Sequence, residues 1–528
     1  MDPLKAWPLL IEVAALSIPL VYGLAAILRS GRDPFLWASR ASAAALGLAL
    51  VVAAGVFFLP AAPRTSSGLS LRLDGVTGVV GALVSFIAFI IVRFSRPYLR
   101  GDRGQTRYAR WLMATLAAVS TLVVTNNLGV MAAAWVATSL ALHQLLTFYS
   151  DRPAALVAAH KKFLASRVAD LCLFGGIGLL AMNTGSLELD RLGTWAQATP
   201  ELPVTAQAAA MLFAVAACLK CAQLPFHGWL IQVMEAPTPV SALLHAGVVN
   251  IGGFLMIRLA SLMLKAQAAQ TLLVVVGTAS AVVAALVMTS RVSVKVMLAW
   301  STCAQMGFML VQCGLGAYSL ALLHLLAHSL YKAHAFLSSG SAVDRWRALA
   351  LSPARARAGF GHCVMAAAAG FAGVTLVAAL YGASPQREPA LWALAAVLSL
   401  ALAPLLVRSL GRGWGGLSVA ALGGLSVAAL YFTWHALLGH IVPPLPSTGS
   451  WGMRLSVVLA GFGSLFLVQA VMVAWPDGRV SRALYPRLFA GLYLDELSTR
   501  LTFQMWPPKL PRHESSAPNL HVVETIEA

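Results

Sequence analysis

Long apolar runs alternate with short polar connections along almost the whole chain. Because a helix needs roughly 20 apolar residues to cross a bilayer, the pattern predicts an all-α polytopic membrane protein with about 14–15 transmembrane helices. The first run starts near Trp7 and lacks a convincing cleavage site, so we interpret it as a span and not as a signal peptide. The predicted spans are residues 8–29, 36–59, 76–94, 111–125, 128–149, 168–183, 207–230, 239–264, 270–290, 296–316, 317–341, 361–383, 390–407, 414–438 and 452–475.

Charged residues make up 11% of the 528 residues, against 59% hydrophobic residues. Soluble domains carry about 25% charged residues, so the composition excludes a large soluble domain. Basic residues concentrate in odd-numbered connections, which predicts a cytoplasmic position for those connections, a periplasmic N-terminus and a cytoplasmic C-terminus. Topology thus explains the net charge of +18, and no nucleic acid partner is expected. The basic residues on which this rests are Arg93, Arg96, Arg100, Arg103, Arg107 and Arg110 in the third connection, Arg152, Lys161, Lys162 and Arg167 in the fifth, and Arg345, Arg347, Arg355 and Arg357 in the eleventh.

One lysine, Lys220, lies inside an apolar run. A charge at the bilayer centre costs roughly 2.5–3.5 kcal/mol on insertion scales, so it needs a partner, a cavity or a function. Pro225 cannot donate a hydrogen bond to the carbonyl of Cys221, which predicts a helix break just beyond the lysine. Broken helices are tolerated in membranes where they line a cavity or are buried in protein. The pattern therefore indicates ion handling at Lys220; the alternative is a lysine that reaches towards an interface.

The segment after the break adds two candidates. Glu235 precedes two prolines and is expected near the cytoplasmic surface, where it is a secondary candidate. His245 lies about two turns into the next predicted helix, if one turn takes roughly 3.6 residues. A lone histidine in such a place is either structural or part of the same path as Lys220, and both interpretations stay open.

The strongest pattern is a row of three titratable residues, His324, His328 and Lys332, spaced four apart. Residues at this spacing share one face of a helix, so the row can relay protons through intervening water. Zinc could use His324 and His328, but no acidic or cysteine ligand lies near them in sequence, so we expect no metal in this chain. His334 is rotated away and is a secondary candidate. Lys295, at the start of the preceding helix, either connects the two halves or lies at the cytoplasmic face.

Three segments, residues 220–246, 295–308 and 324–343, resemble the signature segments of the antiporter-like membrane subunits of respiratory complex I and Mrp-type cation antiporters. The resemblance implies two inverted five-helix repeats that contain broken helices. It also implies that Lys220 is the broken-helix lysine, His245 its neighbour, and the row His324, His328 and Lys332 the central relay. The implied organisation is N-terminal transmembrane helices at 1–107, repeats at 108–264 and 270–407, C-terminal transmembrane helices at 408–475 and a cytoplasmic segment at 476–528.

Two charged groups of that family are missing. Val136 stands where the family has a glutamate after a tryptophan, and no lysine occurs between Lys332 and Lys509 for the second repeat. With the LYLDEL string at 492–497, the chain looks most like the DabB family, the membrane subunits of bacterial inorganic-carbon accumulation complexes. That resemblance implies a location in the bacterial inner membrane. It also implies a cytoplasmic DabA-like partner with a carbonic anhydrase-like zinc site, and no cofactor in this chain.

The resemblance implies a transport subunit and not an enzyme. Cation flow, with the proton as the expected ion, would drive hydration of CO2 to bicarbonate in the partner. Two alternatives stay open: a subunit of a complex I-like pump or of a multi-subunit Na+/H+ antiporter, and a membrane scaffold that conducts nothing. The scaffold predicts that loss of the buried charges is tolerated, since burying them costs free energy.

Overall fold

The protein is a bundle of long helices, described by a computed structural model over residues 3–28, 31, 33–58, 70–341, 347, 359–409, 413–442 and 452–507. Arg345, Arg355, Arg357 and Lys509 lie outside the described residues. The helices of the N-terminal half are α1 Pro3–Ile27, α2 Leu36–Phe58, α3 Gly75–Tyr98, α4 Gln105–Val124, α5 Leu128–Leu146, α6 Pro153–Thr184, α7 Leu189–Ala198, α8 Val204–Lys220, α9 Gly228–Gln232, α10 Thr238–Ala246, α11 Ile251–Arg258 and α12 Ala260–Met263. Those of the C-terminal half are α13 Gln267–Met288, α14 Val294–Gly314, α15 Tyr318–Leu337, α16 Phe360–Leu380, α17 Pro389–Ser409, α18 Gly413–Gly439, α19 Gly452–Ala474, α20 Arg479–Phe489 and α21 Glu496–Met505.

Twelve stretches of helix in the described residues are long and apolar enough to cross a membrane. They are α1, α2, α3, α5, α6, the pair α10–α11, α13, α14, α16, α17, α18 and α19. The other predicted spans correspond to α4, α8 and α15. Of these, α8 is cut short by the break, α4 begins with arginines, and α15 carries the histidine–lysine row. The predicted all-α polytopic fold is therefore confirmed.

Ion pairs join odd-numbered connections to each other in the described part of the chain. Arg96 pairs with Asp33 at 2.8 Å, which joins the third connection to the first. Arg152 lies 3.5 Å from Glu235, which joins the fifth to the seventh. At the opposite end the even connections meet, for example through Arg72 and Asp190 at 3.6 Å. The alternation inferred from charge is thus a geometric property of the bundle.

Two predicted boundaries were wrong. Residues 150–167 were assigned to a polar connection, but α6 begins at Pro153, so Lys161 and Lys162 lie on a helix with both side chains buried. The run 239–264 was predicted as one helix, but it is divided at Gly247 into α10, a 3₁₀ turn and α11. In the first case, the charges at the edge of an apolar run predict a loop, but neighbouring helices bury and pair them.

An ion pair joins three helix ends on the even side. The Arg258 guanidinium, whose side chain is 1% exposed, donates to both oxygens of Asp74 at 2.9 and 2.7 Å, and to the Val123 carbonyl at 3.2 Å. Asp74 also caps α3 by accepting from the Thr77 backbone amide. Burial acts to raise the pKa of Asp74, but the attraction of Arg258 and Arg72 holds it below the ordinary value of an aspartate.

Asp74→Ala is expected to lower the free energy of unfolding by about 3–5 kcal/mol, because it leaves a buried guanidinium without its counter-ion. Thermal unfolding of the detergent-solubilised protein measures this. Asp190→Ala is the control, since its pair with Arg72 is partly exposed and worth about 0–1 kcal/mol. Equal stability of the two variants would contradict this account.

Candidate functional site

The predicted row lies on α15 and faces the interior of the bundle. The rings of His324 and His328 are 5.9 Å apart, and Lys332 lies one turn beyond them. His328 is 3% exposed and Lys332 is fully buried. The structure thus brings the three residues together along one buried face, as the spacing predicts.

Helix α14 presents a second row of polar groups to the first. Gln312 lies 3.1 Å from His324, Gln305 lies 2.6 Å from His328, and Ser301 accepts from the Lys332 ammonium at 2.8 Å. The Lys332 ammonium also donates to the Leu298 carbonyl at 3.2 Å. These residues are not among the predicted candidates, although polar side chains at helical spacing in an apolar helix are a usable signal.

The hydrogen bonds of His328 fit either protonation state of its ring. Its Nδ1 is 2.6 Å from Gln305 Oε1, and its Nε2 is 3.1 Å from the His245 carbonyl oxygen. A neutral imidazole has one N–H, so it cannot donate to both oxygens. The protonated ring donates to both oxygens. In the neutral ring, Nε2–H donates to the His245 carbonyl, and rotation of the Gln305 amide lets its NH2 donate to Nδ1. Either state of His328 can therefore keep two hydrogen bonds.

His245 belongs to the row and not to the surroundings of Lys220. Its Nδ1 is 3.1 Å from Thr302 Oγ1 on α14, and its ring stacks on Phe336 at 4.4 Å. Its Nε2 is buried without a hydrogen-bond partner among the described residues. The division at Gly247 ends α10 beside α15, which is how the His245 carbonyl reaches His328.

Lys220 ends α8 in a second buried cluster. Its ammonium lies 4.5 Å from the ring centre of Trp135 and makes no hydrogen bond to the described residues. Asp170 on α6 attracts it electrostatically, and Lys162 adds a second buried cation. The Lys162 ammonium donates to the Ser139 carbonyl at 2.6 Å.

Asp170 supplies the carboxylate that Val136 does not. Its Oδ1 accepts from the Trp135 indole at 2.9 Å, and its other oxygen lies 2.7 Å from Arg167. A carboxylate is therefore present in the cluster, carried by α6 and not by α5. Asp170 is not among the predicted candidates, although an aspartate inside an apolar run meets the same criterion as Lys220.

The break itself, residues 221–227, is anchored to α13 and α14. Helix α8 ends at Lys220 and α9 begins at Gly228, as the position of Pro225 predicts. The Leu224 amide donates to Ser280 Oγ at 3.1 Å on α13. The thiol of Cys303, on α14, donates to the Ala222 carbonyl at 3.3 Å. The break therefore lies between the Lys220 cluster and the two helices that lead to the row.

The remaining candidates lie nearer the surface. Glu235 is half-exposed and pairs with Arg152. The Lys295 ammonium donates to Thr238 Oγ1 at 3.0 Å, at the odd-numbered end of the bundle. His334 is exposed and lies outside the row. In the described part of the chain, no three His, Cys, Asp or Glu side chains come together to hold a metal ion.

Comparison with known proteins agrees with this architecture. Residues 125–353 match the NADH:quinone oxidoreductase/Mrp antiporter transmembrane family. A probable inorganic carbon transporter subunit, DabB2 of Halothiobacillus neapolitanus, is 38% identical over 96% of this chain and 95% of its own. A probable DabB subunit of Hydrogenovibrio crunogenus is 40% identical over 94% and 95%. The Mrp complex of Dietzia sp. DQ12-45-1b aligns with 25% identity and a TM-score of 0.55, over 97% of this chain and 57% of that one. With this identity over nearly the full length of both relatives, the chain belongs to the DabB family of inorganic carbon transporter subunits, within the antiporter-like membrane proteins.

Proposed function

We propose that this chain conducts protons across the bacterial inner membrane and couples their flow to hydration of CO2 to bicarbonate. The hydration takes place in a cytoplasmic, DabA-like partner that holds a zinc ion. The observation that carries the proposal is the double row of α14 and α15, in which titratable side chains alternate with neutral hydrogen-bonding partners through the bundle.

The chemistry of the two rows favours protons. A sodium ion needs several oxygen ligands that are free to bind it. The glutamine oxygens of the row already face imidazole nitrogens, and the Lys332 ammonium repels a cation. Histidine exchanges protons near neutral pH, and each of these groups has a neutral partner that tolerates either state. The Lys220–Asp170 cluster adds a second site of opposite charges on the other side of the break.

The ion and the coupling are tested by carbon accumulation. The chain is expressed with the product of the adjacent gene in a host that lacks carbonic anhydrase and grows only at high CO2. We expect growth in air, zinc in the co-purified complex, and accumulation of labelled bicarbonate that a protonophore abolishes and that replacement of Na+ by K+ leaves unchanged.

Each result has a clear alternative. Loss of accumulation without Na+ would reassign the ion and support a sodium-coupled antiporter subunit. Accumulation that persists after the proton gradient is collapsed would overturn the coupling. Co-purification with quinone oxidoreductase subunits in place of a zinc protein would support the respiratory pump.

A further inference from the structure

The segment at residues 488–506 folds back over the break in α8–α9. Arg291, between α13 and α14, donates to the Leu488 carbonyl at 3.2 Å, and Gly491 packs against the same guanidinium. At the other end of the segment, the Trp506 ring stacks on His160 of α6 at 3.9 Å and an interplanar angle of 7°. The segment is therefore fixed to the bundle on both sides of the break.

This fold places one carboxylate, that of Asp495, at the mouth of the break. Its Oδ2 accepts from the Lys161 ammonium at 2.7 Å and from the Gln232 amide at 2.7 Å. Its Oδ1 accepts from Ser498 Oγ at 2.7 Å. A Cβ at Gly228 would overlap this carboxylate, so only glycine lets the two segments approach this closely.

A tight turn directs Asp495 inward. Gly491, Leu492 and Tyr493 have φ angles of 68°, 55° and 57°, the left-handed region that costs side-chain-bearing residues free energy. Two such residues in succession persist only where surrounding contacts hold them, and strain of this kind clusters at functional sites. The contacts of Asp495 are the ones that the turn makes possible.

Beneath Asp495, the break is lined with buried polar atoms that have no hydrogen-bond partner in the described chain. They are Lys220 Nζ, Gln223 Oε1, His227 Nε2 and Trp229 Nε1. His227 is fully buried, its Nδ1 lies 3.3 Å from the Pro225 carbonyl, and Asp495 attracts it electrostatically. Buried polar atoms of this kind are those that ordered water satisfies, so the break suits a hydrated passage.

We infer that Asp495 and His227 form the access site through which protons pass between solvent and the Lys220–Asp170 cluster. The inference rests on the proposed proton conduction. The Asp495 carboxylate, with its side chain 28% exposed, takes a proton from solvent. The Nδ1–H of His227 donates to Pro225, so the lone pair of Nε2 accepts that proton and returns it inward. Once the proton has left Nε2, the carboxylate and the neutral imidazole are both restored and one proton has moved inward.

The charged groups that face this site from the surrounding elements are few. Lys161 comes from α6 and Arg291 from the connection before α14, while α9 contributes the neutral Gln232. The Lys161 side chain is 3% exposed, and Asp495 is its ion-pair partner. A purely structural role for Asp495 would therefore be to neutralise this buried ammonium.

Asp495→Asn separates charge from shape, since the amide oxygen can still accept from Gln232 while the amide NH2 donates to Ser498 Oγ. In the full complex, we expect normal membrane abundance and co-purification but a fall of about a hundredfold in bicarbonate accumulation, the lower end of what a positioned proton-transfer group contributes. Glu496→Gln is the matched control, because this neighbouring carboxylate is exposed and pairs with Arg500 alone in the described residues. Normal accumulation in Asp495→Asn would overturn the inference.

The double variant Lys161→Met with Asp495→Asn tests the structural alternative. Replacing both partners of a buried ion pair by neutral groups is often harmless to stability. If Asp495 only neutralises Lys161, the double variant regains accumulation, which would overturn the inference. If Asp495 admits protons, the double variant stays inactive although its thermal stability is higher than that of Asp495→Asn, which leaves the buried Lys161 ammonium without its counter-ion. His227→Asn then has the same transport defect.

Bicarbonate accumulation in Lys332→Ala, measured in the same assay, distinguishes failure of the access site from failure of the proposed function. Normal accumulation in Lys332→Ala would contradict conduction through the row, whatever Asp495 does. Loss in Lys332→Ala with normal accumulation in Asp495→Asn would leave the proposed function standing and reject the access site.

Discussion

Lys332→Ala is expected to abolish carbon accumulation while leaving the complex assembled. The Lys332 ammonium is fully buried and has two neutral partners, Ser301 Oγ and the Leu298 carbonyl. Loss of a proton-transfer group in the row should lower the rate of bicarbonate accumulation by about a hundredfold or more. No carboxylate pairs with Lys332 in the part of the chain that the structure describes, so removal of this buried charge should leave the free energy of unfolding unchanged or raise it.

His334→Ala is the control for this prediction. It changes a titratable residue on the same helix that is exposed and outside the row, so accumulation should stay normal. Growth in air, labelled bicarbonate uptake and membrane abundance are measured for both variants. Unchanged uptake in Lys332→Ala would support the scaffold alternative, which tolerates loss of the buried charges.

Asp170→Asn is expected to have a comparable effect through the other cluster. Asp170 attracts both Lys162 and Lys220 electrostatically, so its loss removes a negative charge that offsets these two buried cations. Lys220 also loses a nearby acid with which it can exchange its proton. We expect bicarbonate accumulation to fall by about a hundredfold. We also expect a loss of about 3–5 kcal/mol in stability, because one partner of a buried pair is removed.

Two further variants separate the two losses. Asp170→Glu keeps the charge and should retain part of the transport and most of the stability. Asp151→Asn changes an exposed aspartate just before α6 and should behave as the unmodified protein. Full transport in Asp170→Asn, with or without reduced stability, would show that the carboxylate is not part of the path.

The order of the long apolar helices follows from the sequence alone. In hydrocarbon every backbone polar group must be satisfied within the segment, so an apolar run of sufficient length has almost no choice but to be a helix. The row His324, His328 and Lys332 was determined in the same way, because residues four apart share a face in any helix. Pro225 likewise dictated a local break through its missing N–H.

What the tertiary structure decided is which distant residues meet. The carboxylate absent at Val136 is supplied by Asp170 of another helix, and the hydrogen-bonding partners of the row come from α14. The charges of Lys161 and Lys162 predict a loop, but both side chains lie on α6 and are buried by neighbouring helices. Asp495 reaches the break from more than half the chain away. These contacts depend on how helices pack and on where turns direct them, and neither apolar periodicity nor local spacing carries that information.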